Sequence, residues 1–205
     1  MANAPKIFVV SGSAPDAAAI EEAARILRAR GLVAFPTETV YGLAADAGSA
    51  EAIERLNRVK GRPPDKPYSL HVHAIDQIRQ QLGAIPPSAL RLMERFWPGP
   101  LTIVLPAGSG KTVGFRLPDH PVALAFLKAC QVPVAAPSAN RSGSAPPTDA
   151  QEVLAALGDN FDCLLDGGPT KLGRESTVVE LLDGRLEIRR EGAIPREAIL
   201  SVASS

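Results

Sequence analysis

Leu32-Val33-Ala34-Phe35-Pro36-Thr37-Glu38-Thr39-Val40-Tyr41-Gly42-Leu43 is the stretch on which the reading of this chain turns. Its first four residues form an apolar run, the pattern of a strand covered on both faces. The run then gives way to hydroxyls, a carboxylate, a phenol and a glycine, where a buried strand would simply continue. Sequences break local rules of this kind chiefly where function requires it. Two other segments break them as well. Lys60-Gly61-Arg62-Pro63-Pro64-Asp65-Lys66-Pro67 gathers positive charge, and Pro137-Ser138-Ala139-Asn140-Arg141-Ser142-Gly143 gathers small hydrogen-bonding groups. All three are read as strand-end loops that converge on a site for a polyanion and a small polar molecule.

Working outward, strands are expected at 7–10, 68–72, 101–105, 113–117, 132–136, 162–165, 176–182 and 186–190. Helices are expected at 16–30, from Ser49 up to the basic loop, at 75–82, 88–97 and 121–130, and after Pro195. Ile20, Ala23, Ala24 and Leu27 fall on one helical stripe, with Gly31 as the stop. Pro121 suits a first helical turn, and Thr148-Asp149-Ala150-Gln151 reads as a capping box opening a helix to Leu157. Strands and helices alternate irregularly, with adjacent strand pairs near the end. This predicts a single α/β domain over 1–205 whose twisted sheet is mixed, not doubly wound.

At 205 residues, with 45% hydrophobic and 21% charged residues, the chain has the composition of one globular domain with a sizeable core. Its 22 basic and 22 acidic residues cancel, so any anion site must be local and no global field draws in nucleic acid or a membrane. Cys130 and Cys163 lie far apart in apolar settings, as buried free thiols do, which fits a reducing, cytoplasmic location. Neither a secretion signal nor an 18-residue apolar span is seen.

Gly108-Ser109-Gly110-Lys111-Thr112 imitates a phosphate loop, but Leu105 stands where its first glycine belongs. The residues after Thr112 read as a strand, so no helix N-terminus is offered to a phosphate. The segment from Lys60 to Lys66 is a stronger anion candidate: three cations stiffened by Pro63, Pro64 and Pro67. A solvated basic turn is the competing reading. Arg116 closes an apolar strand and either enters a cleft or covers a sheet edge. His71 and His73 alternate on one expected strand, yet no third metal ligand stands nearby. Ser138 lacks the glycine-flanked nucleophile elbow, and Glu38 and Asp46 sit in surroundings too cationic for a paired-carboxylate hydrolase. Positioning and charge neutralisation fit the inventory better than covalent catalysis.

Six ordered motifs carry a resemblance: Pro36-Thr37-Glu38-Thr39-Val40-Tyr41-Gly42-Leu43, Lys60-Gly61-Arg62, Pro98-Gly99-Pro100-Leu101-Thr102, Arg116-Leu117-Pro118, Pro137-Ser138-Ala139-Asn140 and Ser176-Thr177-Val178. From about residue 16 to 200, the chain resembles the YrdC-like threonylcarbamoyl-AMP synthases, in their single-domain form. The resemblance implies helices and a twisted mixed sheet around an open, positively charged cavity. It implies synthesis of L-threonylcarbamoyladenylate and pyrophosphate from L-threonine, bicarbonate or CO2, and ATP. A separate threonylcarbamoyl transferase complex would then modify tRNA. Carried over by motif, Thr39, His71, Arg116, Ser138 and Ser176 would bind threonine. Arg62, Lys66, Thr112, Asn140, Thr148 and Arg190 would bind ATP. Lys60 and Arg62 would act on the triphosphate, with Mg2+ sharing its charge and no protein ligand set visible for the ion. Tyr68 and Ser69 depart from the more aliphatic residues that many members carry there.

Two other functions are open at this point. A non-catalytic RNA-binding or ribosome-associated member of the superfamily would bind RNA weakly, given the zero net charge. Carbamoyl-adenylate chemistry of hydrogenase maturation would call for zinc-finger cysteines that the sequence lacks.

Overall fold

The structure, a computed structural model, describes residues 4–10, 15–63 and 67–203. Its strands are β1 (Lys6–Val9), β2 (Val33–Phe35), β3 (Gly42–Asp46), β4 (Leu70–His71), β5 (Leu101–Pro106), β6 (Thr112–Arg116), β7 (Val134–Ala135), β8 (Cys163–Asp166), β9 (Thr177–Leu182) and β10 (Arg185–Arg190). Its helices are α1 (Ala17–Arg28), α2 (Ala50–Lys60), α3 (Asp76–Leu82), α4 (Pro87–Phe96), α5 (Pro121–Cys130), α6 (Ala150–Leu157) and α7 (Arg196–Ala203).

The strands form one ten-stranded sheet in the order β1-β8-β2-β3-β7-β4-β6-β5-β9-β10. β8 pairs in parallel with β1 and β2, β4 with β6, and β5 with β9, while the other neighbours are antiparallel. The expected mixed sheet is present. Alternation along each strand divides the core between faces. Val33 and Phe35 enter a cluster with α1 and α5, whereas Leu32 and Ala34 enter one with α2 and α6. A third cluster packs α3, α4 and α7 against β5, β6 and β9.

Several expectations are corrected. β3 was not foreseen, and it lies between β2 and β7 in the middle of the sheet. The helix expected from Ser49 is α2, and because the basic segment leaves it, that segment is not a strand-end loop. β4 spans only Leu70–His71, so His73 lies beyond it and the two imidazoles do not share a strand face. The capping box is shifted by one residue. Asp149 is the N-cap and accepts from Glu152 N, while Glu152 accepts from Thr148 N at 2.7 Å. The phosphate-loop imitation is a turn between antiparallel β5 and β6, closed by Ala107 N to Lys111 O at 2.8 Å.

Candidate active site

Gly61 is a turning point. It follows α2 in the left-handed conformation, φ 60°, which glycine adopts without a Cβ penalty. Its N–H donates to Arg58 O, and that of Arg62 donates to Asn57 O at 3.0 Å, which satisfies carbonyls the helix end would leave open. Lys60 and Arg62, on either side of this turn, both line one cavity of about 520 Å3. The buried Lys60 ammonium donates to the backbone carbonyls of Ser138 and, at 2.6 Å, of Asn140. Ser142 N returns a bond to Lys60 O at 2.8 Å, so the helix end and the Ser-Ala-Asn loop are tied together. Burial first, then the nearby Arg62 charge, brings the Lys60 pKa down to about 8.

The other wall is made by strand ends. β4 and β6 run in parallel with His71 opposite Arg116, so both side chains reach the cavity at the same height. Burial first, then the Arg116 charge, pushes His71 down to about 3, so the imidazole is neutral at ordinary pH. Its Nδ1 is buried without a hydrogen-bond partner. Arg116 Nη2 donates to Glu38 Oε1 at 2.9 Å and to Thr39 Oγ1 at 2.7 Å. The guanidinium is therefore not a wholly free fork. Nε is buried without a hydrogen-bond partner. Thr37 holds the turn by donating to Val40 O and contacting Thr39 Oγ1 at 2.8 Å.

The first and third motifs are neighbours because Gly42 bridges Ser138 and Leu43 N donates to Pro137 O. Asn140 gives its amide N–H groups to the carbonyls of Arg141 and Ser144, leaving Oδ1 buried and unpartnered. Ser176 meets Thr102 at 2.9 Å. Arg190 bonds Ser176 O at 3.0 Å and pairs with Glu175 at 2.9 Å. Arg62 stacks over the Tyr68 ring at 4.7 Å and donates to Pro67 O at 3.0 Å.

Lys60, Arg62, His71, Arg116, Ser138, Asn140, Ser176 and Arg190 thus share one cavity. Thr39 is joined to it through Arg116. Thr148 is not on the wall, because its hydroxyl is directed to Glu152 at the α6 terminus. Thr112 is also absent from the wall. It opens β6, four residues and roughly 13 Å along the strand from Arg116. Lys66 falls outside the described residues. The sequence reading missed Glu38 as the Arg116 partner, along with Thr102 and Glu175 on the wall, where Tyr68 and Ser69 also lie. Only Glu38 carried a signal, as a carboxylate inside an otherwise apolar and hydroxylic motif. No group of three or more His, Cys, Asp or Glu suited to a metal ion occurs among the described residues. Among them, too, no helix is long and apolar enough to cross a membrane.

A family model named Sua5_yciO_yrdC, described as "Telomere recombination", matches residues 25–192. The chain belongs to the Sua5/YciO/YrdC family. The putative threonylcarbamoyl-AMP synthase of Mycobacterium tuberculosis (strain H37Rv) is 35% identical over 89% of this chain and 88% of its own length. The threonylcarbamoyl-AMP synthase of Bacillus subtilis (strain 168) is 43% identical over 89% of this chain but 56% of its own length. The crystal structure of Pyrococcus abyssi Sua5 complexed with L-threonine superposes with a TM-score of 0.90 at 40% identity, covering 96% of this chain and 60% of that one. The chain thus spans little more than half the length of these last two family members.

Proposed function

We propose that this Sua5/YciO/YrdC family member is an L-threonylcarbamoyladenylate synthase, a nucleotidyltransferase acting on L-threonine, bicarbonate or CO2, and ATP. One observation carries the reading: a single cavity of about 520 Å3 brings a buried, carboxylate-paired guanidinium and a separate set of cations together. That size falls within the range of about 300–1,000 Å3 usual for small-molecule sites. Similarity to a Sua5 crystallised with L-threonine supports an amino-acid subsite.

In this reading the Arg116 guanidinium takes the threonine carboxylate, with Thr39, His71, Ser138 and Ser176 around the rest of the molecule. His71 is neutral, so it adds no repulsion toward the substrate ammonium. Arg62, Lys66, Asn140 and Arg190 hold the nucleotide, and Asn140 Oδ1 is an acceptor free for a donor on ATP. Thr112 and Thr148, expected with them by motif, do not line the cavity.

The threonine amine, once deprotonated, attacks the carbon of CO2 and loses a second proton to give an N-carboxylate. A carboxylate oxygen then bonds to the α-phosphorus, and the bond to the bridging oxygen breaks as pyrophosphate leaves. Charge moves onto pyrophosphate in that step, so fixed cations at Lys60, Arg62 and Arg190 stabilise the transition state more than the ground state. No described side-chain set fits a resident metal, so Mg2+ enters as the counter-ion of ATP, as part of the substrate. The product would pass to a tRNA-modifying transferase.

Pyrophosphate release from ATP, measured with threonine and bicarbonate added singly and together, tests this directly. Release is expected only when both are present. Release that ignores threonine would exclude the synthase.

A further inference from the structure

The charges around the cavity are compensated in different ways. Arg116 and Glu38 are 2.9 Å apart with both side chains only 6% exposed, so their pairing is scarcely screened by water. Glu38 itself is absent from the cavity wall and backs Arg116 from behind. Arg190 and Glu175 are also paired, but with 43% and 34% of their side chains exposed. Water weakens the pull of Glu175 on its partner. Lys60 donates its ammonium to two carbonyl dipoles, with the Glu175 carboxylate acting on it at longer range. The end of the cavity at Arg116 and the neutral His71 is therefore close to balanced.

We propose that Glu38 is a specificity-determining residue that neutralises Arg116 and so keeps phosphate groups out of the amino-acid end of the cavity. This rests on the assignment of Arg116 to the threonine carboxylate. A bare, buried guanidinium recognises phosphate as well as it recognises a carboxylate, because both present paired oxygens. Coulombic attraction scales with ligand charge, so a triphosphate or pyrophosphate would outcompete a zwitterion there. A fixed negative charge behind the guanidinium repels each anion in proportion to its charge. It penalises the polyanion several times more than a single carboxylate, and a nearby ammonium offsets even that. The second oxygen, Glu38 Oε2, is buried and without a hydrogen-bond partner, so no other donor disperses its charge. Specificity of this kind comes from repulsion of the wrong ligand, not from extra contacts to the right one.

Calorimetric titration of L-threonine alone, with no ATP, into wild type, Glu38→Gln and Glu38→Asp tests the proposal. Each is run in chloride and in inorganic phosphate or pyrophosphate at equal ionic strength. In wild type and Glu38→Asp, the threonine Kd is expected to stay within about twofold between the buffers. In Glu38→Gln, phosphate should compete with threonine and raise its apparent Kd about tenfold or more. A Glu38→Gln protein that binds threonine equally in both buffers overturns the proposal and makes Glu38 a structural partner only. Wild type that binds no threonine overturns the synthase reading instead. Should Glu38→Gln fail to fold in chloride, its preparation in phosphate decides. Recovery of folded protein supports an anion site at Arg116, and no recovery while Glu38→Asp folds normally overturns it.

Discussion

The wall around Arg116 is made by paired strands, whereas the wall around Arg62 is made by a helix terminus, loops and the last residue of β10. At the first, His71 and Arg116 are fixed by parallel register, and Thr39 and Glu38 close on the guanidinium from a neighbouring turn. Every polar group there is buried. At the second, Arg62 is half-buried and Arg190 is exposed. Buried networks have one low-energy arrangement and fail if a member is lost, while solvated cations can move with a ligand. The strand wall is suited to recognising a small molecule of fixed shape, and the loop wall to gripping a flexible polyanion.

The largest effect should come from breaking the strand wall. Arg116→Ala leaves Glu38 buried and unpaired, which is expected to cost about 3–5 kcal/mol of folding stability. Urea denaturation measures this. The double variant Arg116→Met with Glu38→Gln removes both charges and should regain most of that loss while still failing to use threonine. A double variant as unstable as the single one would mean that shape, not charge balance, governs this wall.

Lys60, at the seam between the walls, should show opposite pH responses in activity and stability. Its folded pKa of about 8 lies below the ordinary 10.5, so the unfolded chain binds a proton more readily across that interval. The cost of burying the charge is therefore fully present below about pH 8 and is relieved as pH rises toward 10.5. Activity should move the other way. Loss of the ammonium charge weakens the tie to Ser138 and Asn140 and the attraction for pyrophosphate. The rate at saturating threonine is expected to fall about tenfold per pH unit above an inflection near 8, shifted upward when ATP is bound. A Lys60→Gln variant should lack that inflection. An unchanged profile would assign it to another group.

The same contrast explains what could be read from the sequence. Strands with long apolar runs, and helices with a clear stripe such as Ile20, Ala23, Ala24 and Leu27, were legible because their pattern is local. β3 was not, since Gly42-Leu43-Ala44-Ala45-Asp46 is poor in strand-favouring residues and is held extended by pairing with β2 and β7. The convergence of Lys60, Arg116 and Asn140 on one cavity follows the motif reading. Their partners do not: Glu38 and Arg116 are 78 positions apart, and nothing in either segment announces the other. Nor does a sequence give depth. Thr148 reads as a ligand-binding hydroxyl, and nothing local announces that it also donates to Glu152.

The smallest effect should come from the loop wall, at Tyr68. The phenol donates to Asn57 Oδ1 at 2.7 Å, and its ring carries the Arg62 guanidinium at 4.7 Å. Tyr68→Phe removes the first contact and keeps the second, so it should cost about 0.5–1.5 kcal/mol of stability and leave the ATP KM nearly unchanged. Tyr68→Leu removes both. A cation–π contact of about 0.5–1 kcal/mol then disappears, and the ATP KM should rise about two- to fivefold with the threonine KM untouched. If Tyr68→Leu instead impaired threonine use, the two walls would be mechanically coupled. The ring would then belong to both ends of the cavity, and the independence of the strand wall from the loop wall would be lost.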